Sequence, residues 1–153
     1  MTYASKPLLL LAAAAMSLAS CHRAAGSPAV SVKRAWVRLP AVAGGAAAGY
    51  FTATANRDDG LLAVTAPGAR IELHESMTKG GMTSMRPLTA VALPAGEKIA
   101  FEPGGKHLMI FGLGPNLKPR DRLRLTFRFR SAPPVEAEAR LVGPADGPPG
   151  DGD

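Results

Sequence analysis

Two residue types in this chain could do chemistry together. Histidine and methionine are sparse, with three and six copies in 153 residues, and they are not scattered. Met1 and Met16 lie in an apolar N-terminal stretch and His22 just after it. All the others, His74, Met77, Met82, Met85, His107 and Met109, fall in one central region. Methionine used only to fill a core would be spread among the strands like leucine. Thioether sulfur is neutral and soft, so it disfavours Zn²⁺, Mg²⁺ and Ca²⁺ and favours Cu(I), which imidazole also suits. Two imidazoles and two thioethers would hold Cu(I) without any ligand charge. A blue-copper electron-transfer site needs a cysteine thiolate, and the single cysteine, Cys21, stands far from this cluster. Catalytic zinc would want three histidine or carboxylate ligands and an open position, a poorer match.

Parity says which of these residues can share a surface. Successive side chains of a strand alternate between its faces. In "ARIELHESM" (69–77) Ile71 and Leu73 take one face while Glu72, His74 and Ser76 take the other; in "KHLMIF" (106–111) His107 and Met109 share a face opposite Leu108. Residues two apart on a strand have Cα atoms roughly 7 Å apart, so both can reach one ion, and another strand must supply the remaining ligands.

The elements that would position them are strands throughout. We expect strands near 29–38, 48–55, 61–66, 69–77, 82–88, 97–102, 106–112, 122–130 and 135–142, separated by turn-forming "GG", "PG", "KGG", "PAGE", "PGG" and "GPN". No stretch carries a helical apolar period over three turns, and Gly44, Gly45 and Gly49 interrupt the alanine-rich 41–49. Many short strands without crossover helices imply an all-β fold with antiparallel pairing, a sandwich or Greek-key barrel.

The spacing His74, ten residues, Met85, twenty-one residues, His107, one residue, Met109 resembles the copper-binding motif of the PCu(A)C family of periplasmic copper chaperones. "AWVRLP" (35–40), "AAAGYFTATAN" (46–56), "LHESM" (73–77), "MRPL" (85–88), "LPAGEKIAFEPGGKHLMIFGL" (93–113) and "LKPRDRLRLTFRF" (117–129) also look like family segments. The resemblance covers about residues 30–130. It implies a cupredoxin-like β-sandwich that binds Cu(I) through His74, Met85, His107 and Met109. By the same resemblance the copper passes toward cytochrome c oxidase assembly, its binuclear CuA centre in particular, with the oxidase subunit or a Sco-type protein as acceptor. Met77 and Met82 fall outside the four and stand as auxiliary metal ligands. Glu75 and Arg86 flank ligands, and Trp36 reads as a core anchor. Some relatives continue into a His- and Met-rich tail; "GPADGPPGDGD" (143–153) contains neither residue.

The ends of the chain bound the rest. Pro7 to Ala19 has the length of a secretory apolar region and is too short to span a membrane. "LASC" (18–21) resembles a bacterial lipobox, with Cys21 as the lipidated residue. We therefore expect a lipoprotein signal peptide over 1–20, a lipidated tether over 21–28, a copper-binding β-sandwich domain over 29–142 and a disordered tail over 143–153. The protein would sit in the periplasm, held to the inner or outer membrane by lipid, with no disulfide inside the domain. Formal net charge is +6. Arg122, Arg124, Arg128 and Arg130 alternate with Leu123, Leu125, Phe127 and Phe129, one basic face and one dry face of a strand. That face offers an alternative reading, a metal-free envelope lipoprotein that binds a partner through its arginines. An exported chain with few aromatics and no recognised motif gives no reason to invoke nucleic acid. No carboxylate pair, Ser/His/Asp arrangement or cofactor loop supports an enzyme.

Overall fold

In the computed structural model, Met1 and residues 28–150 are described. The signal peptide, Cys21, most of the tether and residues 151–153 lie outside the described residues. The described residues form ten strands: β1 (Val30–Arg38), β2 (Ala47–Ala55), β3 (Asp59–Thr65), β4 (Arg70–Lys79), β5 (Met82–Leu88), β6 (Val91–Leu93), β7 (Lys98–Phe101), β8 (Lys106–Phe111), β9 (Arg122–Phe129) and β10 (Val135–Val142). Nine match the expected segments. The additional β6 has three residues and precedes Pro94, so its alternation is too short to read as a strand from sequence.

The strands hydrogen-bond in the order β5-β4-β8-β2-β1-β10-β9-β3-β6, and β7 pairs with β2. Neighbours are antiparallel with one exception. β1 and β10 run parallel, Trp36 beside Arg140 and Arg38 beside Val142, so the sheet is mixed where an antiparallel one was expected. Side-chain alternation reports which face a residue takes and is blind to strand direction, so this pairing left no mark in the sequence.

The sheet rolls over onto itself. Phe51 of β2 packs edge-on to Phe127 of β9, 4.8 Å between ring centroids, although β1 and β10 lie between these strands in the hydrogen-bonded order. Phe51 also stacks on Phe101 of β7 at 4.2 Å. Leu61, Leu93, Leu108, Ile110, Leu125 and Leu141 complete the inner layer, each with at most 1% of its surface exposed. The far end of the path returns to the middle: Ala95, just past β6, bridges Ala55 of β2, and Gly96 N–H donates to Ala55 O at 2.8 Å. Burying this apolar layer drives the closure.

A smaller cluster lies apart from that core. Trp36 and Tyr50, side by side on β1 and β2 with centroids 4.4 Å apart, pack with Val142 beneath the Arg38 guanidinium. Arg38 Nε donates to Asp146 O, and Asp146 Oδ2 accepts from Gly143 N–H. Residues 143–150 turn back over β1, and Pro148, Pro149 and Gly150 line a cleft beside Trp36 and Phe101.

The arginine strand β9 alternates as expected, its leucines and phenylalanines buried and its arginines exposed. It runs inside the sheet between β10 and β3. Arg124 pairs with Glu138 of β10 at 3.0 Å, so part of its basic face is neutralised by its neighbour. Among the described residues no helix is long and apolar enough to cross a membrane.

Candidate metal centre

Strands β5, β4 and β8 lie side by side at one end of the hydrogen-bonded path, and their registers decide what meets. Directly opposed residues of an antiparallel pair share a face. Between β4 and β8, His74 stands opposite His107 and Glu72 opposite Met109. Between β4 and β5, Ser76 stands opposite Met85 and His74 opposite Pro87. Ser76 and His74 share parity, so His74, Met85, His107 and Met109 all fall on one face of three adjacent strands. The opposite face carries Leu73, Leu88 and Leu108, of which Leu73 and Leu108 are buried in the core.

The two imidazoles are the inner part of this site. His107 is 6% exposed and the His74 side chain 15%. Their ring centroids lie 6.0 Å apart. Two imidazoles sharing a metal about 2 Å from each donor nitrogen have centroids no farther apart than roughly 6.3 Å, so the observed pair lies within the outer limit for holding one ion. His107 Nδ1 lies 3.0 Å from Gly105 O, and His74 Nε2 lies 3.0 Å from Glu72 Oε2. Among the described residues, His74 Nδ1 is buried with no hydrogen-bond partner. A buried polar nitrogen without a partner costs about 1–3 kcal/mol, and a metal ion is one partner that would remove the cost.

The thioethers are the outer part. Met109 is half-buried, whereas Met85, on the edge strand β5, is 58% exposed. Among the described residues no three His, Cys, Asp or Glu side chains converge as a metal-holding group. A metal on this face therefore needs the sulfurs, which selects a soft ion.

Residues 30–141 match the LpqE-like lipoprotein family. The chain belongs to that family. It is 30% identical over 129 residues to lipoprotein Lxx21020 of Leifsonia xyli subsp. xyli, a match covering 80% of this chain and 76% of that one. Its fold is that of PCuAC domains. The copper-bound PCuAC domain from PmoF2 superposes with a TM-score of 0.62 at 22% identity, over 76% of this chain and 94% of that domain. The solution structure of Cu(I)-DR1885 from Deinococcus radiodurans gives 0.57 at 20% identity, over 80% and 83%. The all-β, cupredoxin-like architecture expected from the sequence is thus the architecture of this LpqE-like protein.

Not every candidate joins the site. Met77 stands opposite Ser84, and Met82 opposite Lys79, on the reverse face of the β4–β5 hairpin. The register does not bring these two auxiliary candidates to the four donors, and both are exposed. Glu75 and Arg86 also take the reverse face, where Glu75 pairs with Arg86 at 2.6 Å and with Lys106 at 3.1 Å. Hydrogen bonds from Lys106 and Arg86 hold the Glu75 carboxyl below its ordinary value. This ion-pair row ties β5, β4 and β8 together behind the donors. Glu72 and the Gly105 carbonyl do touch the imidazoles, and sequence reading assigned a role to neither. Parity with His74 was the only available signal for Glu72, and a backbone carbonyl has none.

Proposed function

We propose that this protein binds Cu(I) through His74, Met85, His107 and Met109 and passes it, as cargo, to an acceptor protein by ligand exchange. The observation that carries the reading is the register of β5, β4 and β8. It stacks two imidazoles and two thioethers on one face and leaves a buried imidazole nitrogen without a partner. Two fold neighbours described as copper-bound or Cu(I)-loaded support it.

The gradient of exposure suits delivery better than storage. An incoming soft ligand meets exposed Met85 first and displaces a neutral thioether, so no charge separates in that step. The less exposed imidazoles hold the ion until the acceptor has supplied enough donors. Nothing in this exchange calls for turnover of a substrate by chemical reaction. The acceptor we assign is the CuA centre of cytochrome c oxidase or a Sco-type protein that serves it. Membership of a lipoprotein family supports lipidation at Cys21, which would place the domain on the outer side of a membrane, within reach of such a partner.

An anaerobic titration against a chromophoric Cu(I) chelator tests the site. One Cu(I) per chain is expected. Loss of a donor should weaken binding by at least the roughly 10–100-fold seen when an outer partner is lost, with His107→Ala worse than Met85→Leu. Wild-type affinity in both variants would remove the assignment.

A further inference from the structure

The two imidazoles are held by different kinds of partner, and the difference fixes which nitrogen each can offer a metal. His107 Nδ1 faces the carbonyl oxygen of Gly105. A carbonyl only accepts, so Nδ1 carries the proton and Nε2 carries the lone pair. His74 is turned the other way. Its Nε2 faces Glu72 Oε2, an ionised carboxylate accepts only, and the ring therefore donates from Nε2–H and keeps its lone pair on the buried, unpartnered Nδ1.

Glu72 is itself braced. Its other carboxylate oxygen, Oε1, pairs with Arg70 Nη1, and the Arg70 guanidinium lies over the Phe111 ring, 4.1 Å from its centroid. Arg70 and Phe111 are direct cross-strand partners, as are Glu72 with Met109 and His74 with His107. Three alternate rungs of the β4–β8 ladder, all on one face, thus run from an arginine stacked on an aromatic ring, through a carboxylate, to the imidazole pair. The chain of contacts ends at His74 Nδ1.

We infer that Glu72 is the positioning residue of the copper site, and that it commits His74 to ligate through Nδ1 while Gly105 commits His107 to ligate through Nε2. The inference rests on the copper reading above and deepens it. Histidine ligands commonly donate their second N–H to a carboxylate or a backbone carbonyl, which fixes the tautomer and ring orientation. Here one imidazole uses each kind. The carboxylate also places negative charge beside a donor set that has none, so part of the charge of a bound Cu⁺ is compensated without Glu72 entering the coordination shell. Arg70 keeps that charge from being in excess before copper arrives.

The test begins with the copper-free protein. Long-range ¹H–¹⁵N correlation spectra of the imidazoles, recorded at mildly alkaline pH, read each tautomer directly. In the wild type His74 should appear as the Nε2–H form and His107 as the Nδ1–H form. Glu72→Ala should leave His74 a mixture of tautomers while His107 is unchanged. Cu(I) affinity of that variant should drop by roughly 10–100-fold. Glu72→Gln retains an oxygen acceptor, so it should restore the His74 tautomer and most of the affinity. Upon Cu(I) addition to the wild type, the large ¹⁵N shift should fall on Nδ1 of His74 and on Nε2 of His107.

A single Nε2–H tautomer of His74 persisting in Glu72→Ala would overturn the positioning role, as would a copper shift on His74 Nε2. Wild-type protein that binds no Cu(I) would defeat the copper reading alone, since the copper-free spectra still decide what Glu72 does to His74. If Glu72→Ala fails to fold, the Glu72→Gln spectra and the wild-type copper shifts carry the same decision.

Discussion

Burial grades the four proposed donors from His107, almost out of solvent, to Met85, more than half exposed. What keeps the inner donors in place is contact behind them, and Gly49 of β2 is the tightest point. Gly49 is the cross-strand partner of Leu108, the residue between His107 and Met109. A Cβ at Gly49 would lie 3.0 Å from both Cβ and Cδ1 of Leu108 and 3.2 Å from Cδ1 of Ile110. Leu108 Cβ cannot swing away as a side-chain tip can, so β8 must shift. Gly49→Ala is expected to cost about 1–3 kcal/mol in chemical denaturation and to weaken Cu(I) binding through displaced His107 and Met109. Unchanged stability and Cu(I) affinity in Gly49→Ala would show that β8 absorbs the added methyl without moving the face that carries His107 and Met109. That the histidines share one face was legible in the sequence, because parity on "ELHES" and "KHLM" puts each of them on the face away from leucine. The crowding at Gly49 was not, because a glycine in an alanine-rich stretch reads only as a helix breaker until the partner strand is known.

At the scale of elements, the β4–β5 hairpin carries Met85 with little help from the core. Every residue of β5 is exposed except the half-buried Leu88, and Pro87 fits an edge strand whose outward N–H groups need no partner. Its register depends on the turn. Lys79 pairs with Met82 across Gly80 and Gly81, both at positive φ, 60° and 80°, the two-residue turn whose twist matches that of the strands. Placing alanine at both positions should cost roughly 1–2 kcal/mol per residue. Because β5 buries so little, that cost should appear as local opening. Hydrogen exchange of the β4–β5 amides beyond Glu75 should accelerate while the global unfolding midpoint barely moves, and Cu(I) affinity should fall several-fold through the loss of one thioether. A large fall in the global midpoint would show that the hairpin is part of the cooperative core. The turn was visible in "TKGGMT", as were the alternating strands on either side. The parallel pairing of β1 with β10 and the short β6 were not, since both depend on where distant segments meet.

Across the whole molecule, closure of the rolled sheet depends on joining β3 to the far end of β9, and one buried carboxylate makes that join. Asp59, at the start of β3, accepts from Gly60 N–H at 2.8 Å and Ser131 N–H at 3.0 Å through Oδ1, and from Ala132 N–H at 2.8 Å through Oδ2. Arg130 N–H donates to Gly60 O at 2.9 Å beside it. Burial pushes the carboxyl's pKa up, but the backbone N–H groups converging on it outweigh that, and the net shift is downward from 3.8. A group whose folded pKa is depressed adds stability that is complete above its unfolded value and is lost as pH falls from there through the folded value. Asp59→Ala strands three donors, one at the start of β3 and two in the turn after β9. It should cost about 2–3 kcal/mol at neutral pH, lowering the thermal midpoint by roughly 10 °C. The gap between the wild type and this variant should stay constant from pH 7 down to about 5, then narrow below pH 4 as the wild-type carboxylate protonates. A gap that persists undiminished to pH 2 would mean that Asp59 acts through shape and not through charge. Copper binding per folded molecule should be unaffected, because Asp59 lies on β3 and the donors lie on β4, β5 and β8. Equal Cu(I) affinity in the two proteins, measured well below the variant's midpoint, would separate what holds the sheet closed from what holds the metal.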